Sequence, residues 1–291
     1  MFSILGLLLT SQFFIMSDRG NFWNPDKISK QTEIVAEKGD RNIAVHPLQF
    51  KNQKILLLVH GFDNTAAEAI DTYHLIHTQI GQLKDKNGND LYDSVIGYLW
   101  PGYDDRLEYF DAEKNALELA QRTRTHLILL SKITKTIDIL AHSMGNRLMF
   151  EALDFPPQDT MKRTIENFYS FGAAVDKDSI ERYHKYDYST ENCRDLYVFH
   201  SNRDEVLKFL YRIAQWKGAL GSEAPSNLTK VAKNIQLIDC TAFVTGHSQY
   251  FSALPLYKFI NKQHLKELPP PDVAQNVVIL KDGTIKRLST N

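Results

Sequence analysis

Residues 136–145, TIDILAHSMG, form an apolar run that ends in a turn around a serine. Ile137 and Leu140 belong to a predicted buried strand, and a helical pattern of apolar residues follows Gly145. A strand, a tight small-x-Ser-x-Gly turn and a helix hold a serine hydroxyl exposed at the end of a sheet. The segment therefore predicts that Ser143 is a nucleophile.

Short apolar runs alternate with helical patterns on both sides of this turn, which is typical of an α/β fold. We predict one mostly parallel central sheet flanked by helices, in a single domain over residues 25–291 that follows an apolar extension over residues 1–24. The other predicted strands cover residues 32–36, 43–50, 54–59, 94–100, 167–174, 196–200 and 235–240, and the main helices about 65–83, 107–130 and 250–262.

Two insertions, residues 177–192 and 207–233, are predicted to form small lids. Bulky apolar residues over 209–220 could line an acyl pocket or belong to the core. Near the end of the chain, residues 277–280 and 284–288 flank a Lys-Asp-Gly turn. This pattern predicts a C-terminal hairpin attached at an edge of the sheet.

The composition excludes several classes of partner. The chain has 291 residues, 43% of them hydrophobic, and a net charge of −1 without a basic patch, so we expect no nucleic acid partner. Its ten histidines include no His-x-Glu-x-x-His pattern and no His/Cys cluster, so no metal site is predicted. The two cysteines, Cys193 and Cys240, are predicted to be buried free thiols rather than a disulfide.

Residues 2–16, FSILGLLLTSQFFIM, have the length of a signal-peptide core but lack a preceding basic residue and a following cleavage site. The alternatives are an interfacial or packed helix, which would allow contact with a membrane surface, or an extension upstream of a natural start at Met16. We expect a cytoplasmic protein, and the alternative is export or membrane association through this segment.

A serine nucleophile needs a base, and functional groups gather at the carboxyl ends of parallel strands. His60, His142, His200 and His247 lie at or near such ends. His247 is the predicted base, because it follows the last core strand after the flexible Gly246 and because Ser…Asp…His is the chain order of this arrangement. His142 is expected to pack or to contact substrate, and His200 is a competitor.

The base in turn needs a carboxylate that orients it. Asp204 follows the strand over 196–200 and is the preferred acid, although it could serve only as a helix N-cap. Asp176 follows the preceding strand and is the alternative acid.

Acyl transfer also needs backbone N–H groups directed at the developing oxyanion. One donor is predicted to be Met144, which follows the nucleophile, and the other Phe62, in the loop after the strand over 54–59. Gly61 would allow the close approach of that loop, and His60 and Asp63 are expected to hold it through side-chain hydrogen bonds.

Together these segments resemble the α/β-hydrolase superfamily and, more narrowly, a bacterial branch of serine-hydrolase-like domains of unknown function. The resemblance implies a Ser143–Asp–His247 triad, hydrolysis of esters or amides, and no cofactor. The elbow departs from the general pattern at Ala141, where many members have glycine. The matching segments are LLLVHGFDN (56–64), GYLWPG (97–102), YFDAEKNA (109–116), DILAHSMGNRLMFEAL (138–153) and TGHSQYF (245–251).

The predicted function is that of a serine hydrolase whose substrate is a small-molecule carboxylic ester or acyl compound, acyl lipids included. A thioesterase or an acyltransferase would use the same groups. A non-catalytic binding protein with this fold is the alternative of a different class. The presence of a serine, a histidine and an aspartate at suitable strand ends favours the enzyme.

Overall fold

The structure is a computed structural model and describes residues 11–38, 41–156, 165–268, 270, 275–279 and 284–289. Within these ranges, eleven strands form one sheet. They are β1 (Gln12–Gly20), β2 (Asn24–Lys38), β3 (Arg41–Ala44), β4 (Lys54–Val59), β5 (Ser94–Leu99), β6 (Thr136–His142), β7 (Ile165–Phe171), β8 (Cys193–His200), β9 (Ile235–Asp239), β10 (Gln275–Ile279) and β11 (Ile285–Ser289).

The order of strands across the sheet is β11-β10-β9-β8-β7-β6-β4-β5-β1-β2-β3. All neighbouring strands from β10 to β1 are parallel, and antiparallel pairs are confined to the two ends of the sheet. The predicted mostly parallel α/β fold is therefore confirmed. Because parallel strands end at the same edge, the loops after β4, β6, β8 and β9 are brought to one rim.

Helices cover both faces of the sheet, as predicted. The core on one face contains buried residues of α2 and α3, and the core on the other face contains those of α1 and α6. The helices in the described residues are α1 (Ala66–Gly81), α2 (Tyr109–Ile133), α3 (Met144–Leu153), α4 (Asp187–Glu191), α5 (Arg212–Gln215) and α6 (Leu254–His264).

Strand β4 and helix α1 show how the sequence fixes the loop between them. The aliphatic run KILLLV of β4 is buried on both faces, as expected for a central parallel strand. Helix α1 starts with a capping box, in which the Thr65 hydroxyl accepts from the Glu68 N–H at 3.2 Å and the Glu68 carboxylate accepts from the Thr65 N–H at 2.9 Å. The loop over 60–64 is thus held between two well-defined ends.

The N-terminal part of the chain differs from the prediction. Residues 12–20, expected in an extension before a domain that starts at residue 25, form β1 and pair with β5 and β2. Phe14, Ile15 and Met16 are buried because β1 lies inside the sheet. An apolar run of this length is equally compatible with a central strand and with a signal-like segment, and only the pairing partner distinguishes them. Residues 2–10 lie outside the described residues.

Other elements agree with the sequence to different degrees. Strands β10 and β11 form the expected C-terminal hairpin at the sheet edge, with its turn outside the described residues. The expected strand over 43–50 is the short β3 followed by a 3-10 turn over Pro47–Phe50. Both cysteines are free and buried, as predicted. No helix of the described residues has the length and apolarity that crossing a membrane requires.

Candidate active site

Ser143 lies on a strained turn between β6 and α3. Its backbone has φ 52° and ψ −123°, a conformation that costs an L-residue about 1–3 kcal/mol. Hydrogen bonds hold it there: the Ser143 N–H donates to the Phe171 carbonyl and the Ser143 carbonyl accepts from the Ala174 N–H, both at 3.1 Å. Gly145 is required nearby, since a Cβ at that position would lie 2.3 Å from the His60 carbonyl oxygen.

Ser143, His247 and Asp204 are hydrogen-bonded in series. The Ser143 Oγ lies 2.8 Å from His247 Nε2, and His247 Nδ1 lies 2.7 Å from Asp204 Oδ2. The carboxylate is fully buried, whereas the imidazole is 17% exposed. Because a carboxylate only accepts hydrogen bonds, Nδ1 carries the proton of the neutral ring and Nε2 can accept from the hydroxyl. The arrangement can move a proton from the serine to the imidazole.

Asp204 occupies the turn that follows β8. Its second oxygen, Oδ1, accepts from the Leu207 N–H at 3.1 Å, so the same carboxylate also caps the helical turn over Val206–Tyr211. The carboxylate therefore makes both of the contacts considered from the sequence, one to His247 and one to a helix N-terminus. The alternative acid, Asp176, lies elsewhere: it pairs with Lys217 and accepts from the Asp178 N–H at 3.1 Å.

His142 lies behind the proposed base. Its Nε2–H donates to the His247 carbonyl at 2.8 Å, and its ring centroid lies 4.5 Å from that of Phe251. Burial, with a smaller contribution from His247, holds the pKa of His142 well below its usual range, so the ring is neutral. His142 thus packs against the loop that carries His247. His200, the competing base, lies at the end of β8, and Ser143 is bonded to His247 instead.

The backbone segments that carry the two expected oxyanion donors, Met144 and Phe62, lie beside Ser143. Met144 is the first residue of α3, and the N–H groups of a first helical turn have no acceptor within the helix. The loop that contains Phe62 runs against the elbow, since a Cβ on Gly61 would lie 2.9 Å from Ser143 Cβ. Both N–H groups therefore belong to backbone that borders Ser143.

Side chains hold the carbonyl groups of the loop over 60–64. The His60 carbonyl accepts from Trp100 Nε1 at 2.8 Å, and the Gly61 carbonyl lies 2.6 Å from His60 Nδ1. The Phe62 carbonyl accepts from Asn64 Nδ2 at 2.8 Å. These bonds match the expectation that His60 holds the loop. Asp63 instead accepts from Arg106 at the surface.

A further residue at this loop was not expected from the sequence. The Arg19 side chain of β1 is fully buried, and its Nη2 donates to the Asn64 carbonyl at 2.9 Å. Arg19 lies in the segment predicted to be an extension, so its sequence position gave no reason to place it near the loop. Its tertiary contacts alone reveal it.

Three comparisons place the chain among known proteins. A family model described as "Alpha/beta hydrolase of unknown function (DUF900)" matches residues 37–263. Proteins of curated function give no significant match. Similar solved structures include 2,6-dihydroxy-pseudo-oxynicotine hydrolase (13% identity, 82% of this chain and 66% of that chain, TM-score 0.43) and Aspergillus fumigatus lipase B (14%, 82% and 62%, TM-score 0.45). A third is the Pyrococcus furiosus esterase Pf2001 (11%, 81% and 86%, TM-score 0.39). The chain thus spans less than two thirds of the length of the first two.

Proposed function

This chain belongs to the family of alpha/beta hydrolases of unknown function, as its motifs predict, and from that premise we propose that it is a serine hydrolase that cleaves carboxylic esters. The observation that carries the proposal is the series of hydrogen bonds from the Ser143 hydroxyl through His247 to the buried carboxylate of Asp204. A hydroxyl is a weak nucleophile unless a base takes its proton during attack, and this series supplies that base and its orienting acid.

In the proposed first step, Ser143 Oγ attacks the ester carbonyl carbon while its proton moves to His247 Nε2. Asp204 stabilises the imidazolium that forms, through the 2.7 Å contact with Nδ1. The tetrahedral intermediate then expels the alcohol, which takes the proton from Nε2. An acyl group remains on Ser143.

In the second step, a water molecule gives a proton to His247 and attacks the acyl carbonyl. The carboxylic acid leaves, and the proton returns to Ser143 Oγ. In both steps the negative charge on the carbonyl oxygen would be stabilised by the N–H groups of Phe62 and Met144. Removing one such donor typically lowers kcat about 10²–10³-fold.

The insertion after Asp204 supports an acyl substrate. The bulky apolar residues over 209–220 fall into two groups. Tyr211 and Leu220 are buried. Phe209, Ile213 and Trp216 are 62%, 69% and 89% exposed. Exposed apolar groups that lie together can form a binding site for a nonpolar ligand. We therefore include esters with an apolar acyl chain, acyl lipids among them, in the proposed substrate class.

The proposal is tested by hydrolysis of p-nitrophenyl esters from acetate to palmitate. The wild-type protein is expected to hydrolyse at least one ester, and Ser143→Ala is expected to lose this activity while remaining folded. Ser170→Ala is the matched control, because Ser170 is a buried serine on the neighbouring strand β7. Turnover that survives in Ser143→Ala, or folded wild-type protein with no turnover of any ester, would contradict the proposal.

A further inference from the structure

A buried arginine lies behind the loop that carries Phe62. Arg19 Nε donates to the Trp100 carbonyl at 3.0 Å, and Nη2 donates to the Asn64 carbonyl at 2.9 Å and to His60 Nε2 at 3.1 Å. All three acceptors are uncharged groups. Burial lowers the pKa of Arg19 to about 10, against smaller opposing effects of Tyr73, Asp104 and Asp26, so the guanidinium stays charged at neutral pH.

Burying the Arg19 cation to hold this loop is energetically unfavourable. Its Nη1 atom is buried and has no hydrogen-bond partner in the part of the chain that the structure describes. A buried charge that bonds only to neutral groups, with one nitrogen unpartnered, loses more hydration than it recovers. By contrast, the Arg122 guanidinium, in α2, pairs at 3.0 Å with the carboxylate of Asp18, the neighbour of Arg19 in β1. The cost at Arg19 points to a function beyond stability.

Arg19 contributes to the protonation state of His60. Burial, and next the charge of Arg19, lower the pKa of His60 well below its usual range, so the ring is neutral and carries one N–H. His60 Nδ1 faces the Gly61 carbonyl, which only accepts, so the proton is on Nδ1. His60 Nε2 then has a free lone pair, and it faces a guanidinium, which only donates.

The proton on Nδ1 has a direct consequence for the oxyanion site. The C=O and N–H groups of a trans peptide point in opposite directions. The His60 Nδ1–H holds the Gly61 carbonyl oxygen, and it thereby fixes the direction of the Phe62 N–H of the same peptide group. With the proton on Nε2 instead, the Nδ1 lone pair would face the Gly61 oxygen and repel it.

We propose that Arg19 is a positioning residue for the oxyanion hole, which holds His60 as the Nδ1–H tautomer and so directs the Phe62 N–H. The proposal rests on the proposed function. The oxyanion exists only in the reaction's intermediates and transition states, so loss of the arginine changes kcat and leaves substrate binding in place.

The kinetic test compares Arg19→Met with Arg122→Met in ester hydrolysis. Arg19→Met is expected to lower kcat about 10–100-fold, less than full removal of a donor, with KM within about twofold. Arg19→Lys keeps a charged donor to His60 and is expected to recover part of the lost kcat. Arg122→Met removes a guanidinium of α2 that contacts Asp18 of β1 and Ser29 of β2, and it is expected to keep kcat. A folded Arg19→Met protein with wild-type kcat, or an equal loss of kcat in Arg122→Met, overturns the proposal.

A second measurement needs neither turnover nor a stable Arg19 variant. Two-bond ¹H–¹⁵N spectra of the wild-type protein, assigned by comparison with His60→Gln, report which imidazole nitrogen of His60 carries the proton. The proposal requires Nδ1–H, and a neutral His60 protonated on Nε2 overturns it. If the wild-type protein hydrolyses no ester, the proposed function fails, and a neutral His60 protonated on Nε2 would still separately overturn the proposal for Arg19.

Discussion

Replacing Asp204 by asparagine removes the negative charge of the carboxylate from the proposed triad and keeps the shape of the side chain. The buried carboxylate lies 2.7 Å from His247 Nδ1. With the charge centres about 4 Å apart, an effective dielectric constant near 20 gives about 4 kcal/mol of stabilisation to the imidazolium, or about 10³-fold in kcat. The asparagine amide would also donate to Nδ1 and so move the ring proton to Nε2. A protonated Nε2 cannot accept the proton of the Ser143 hydroxyl.

Asp176→Asn is the matched control for this prediction. It makes the same change in an aspartate that also follows a strand but pairs with Lys217 at the surface. An exposed ion pair contributes little, so we expect a change in kcat within about twofold. Asparagine can still accept from the Leu207 N–H at position 204, and both variants should therefore remain folded.

The assay is hydrolysis of p-nitrophenyl butyrate at saturating concentration, with circular dichroism to confirm folding. We expect Asp204→Asn to retain about 10⁻³ of the wild-type kcat. The reasoning is refuted if folded Asp204→Asn keeps more than about a tenth of the wild-type kcat, or if Asp176→Asn alone abolishes turnover.

Three further predictions follow from the site. Gly145→Ala places a Cβ 2.3 Å from the His60 carbonyl and should lower the free energy of unfolding by about 1–3 kcal/mol in urea titrations, whereas Gly246→Ala, whose Cβ would lie 3.8 Å from Gln249 Cδ, should leave it unchanged. His142→Phe removes the bond to the His247 carbonyl and should lower kcat about tenfold, while His142→Gln, which can keep that bond, should lower it less. Because His60 and His142 stay neutral when folded, the unfolded state binds more protons below pH about 6.5, and the free energy of unfolding should fall by up to about 1.4 kcal/mol per pH unit for each ring as the pH decreases, which lowers the urea midpoint. A midpoint independent of pH between 7 and 5, or a His142→Phe enzyme as active as wild type, would contradict the last two.

The fold and the elbow could be predicted because their signals are local. The run over 136–142 with its small-x-Ser-x-Gly turn fixes a strand, a turn and a helix from adjacent residues alone. The alternation of apolar runs and helical patterns then gives the parallel sheet, whose geometry brings strand ends together. The contact of His247 with Ser143 could be expected in the same way, from the place of His247 after the last core strand.

The remaining features depend on contacts between distant residues. Asp204 and Asp176 both follow strands, and they differ only in their tertiary partners, His247 and Lys217. The local pattern over 12–20 is compatible with an extension as well as with a strand, and only the pairing of β1 with β5 brings Arg19 to the loop over 60–64. The bond of Arg19 to Trp100 joins residues 81 positions apart, which no local pattern reports.

The most direct test of the proposed nucleophile is labelling with a fluorophosphonate, followed by peptide mapping with mass spectrometry. A serine activated by His247 should carry a single stoichiometric adduct at Ser143, and Ser143→Ala should carry none. No adduct on the folded wild-type protein, or an adduct at another residue that persists in Ser143→Ala, would contradict the account.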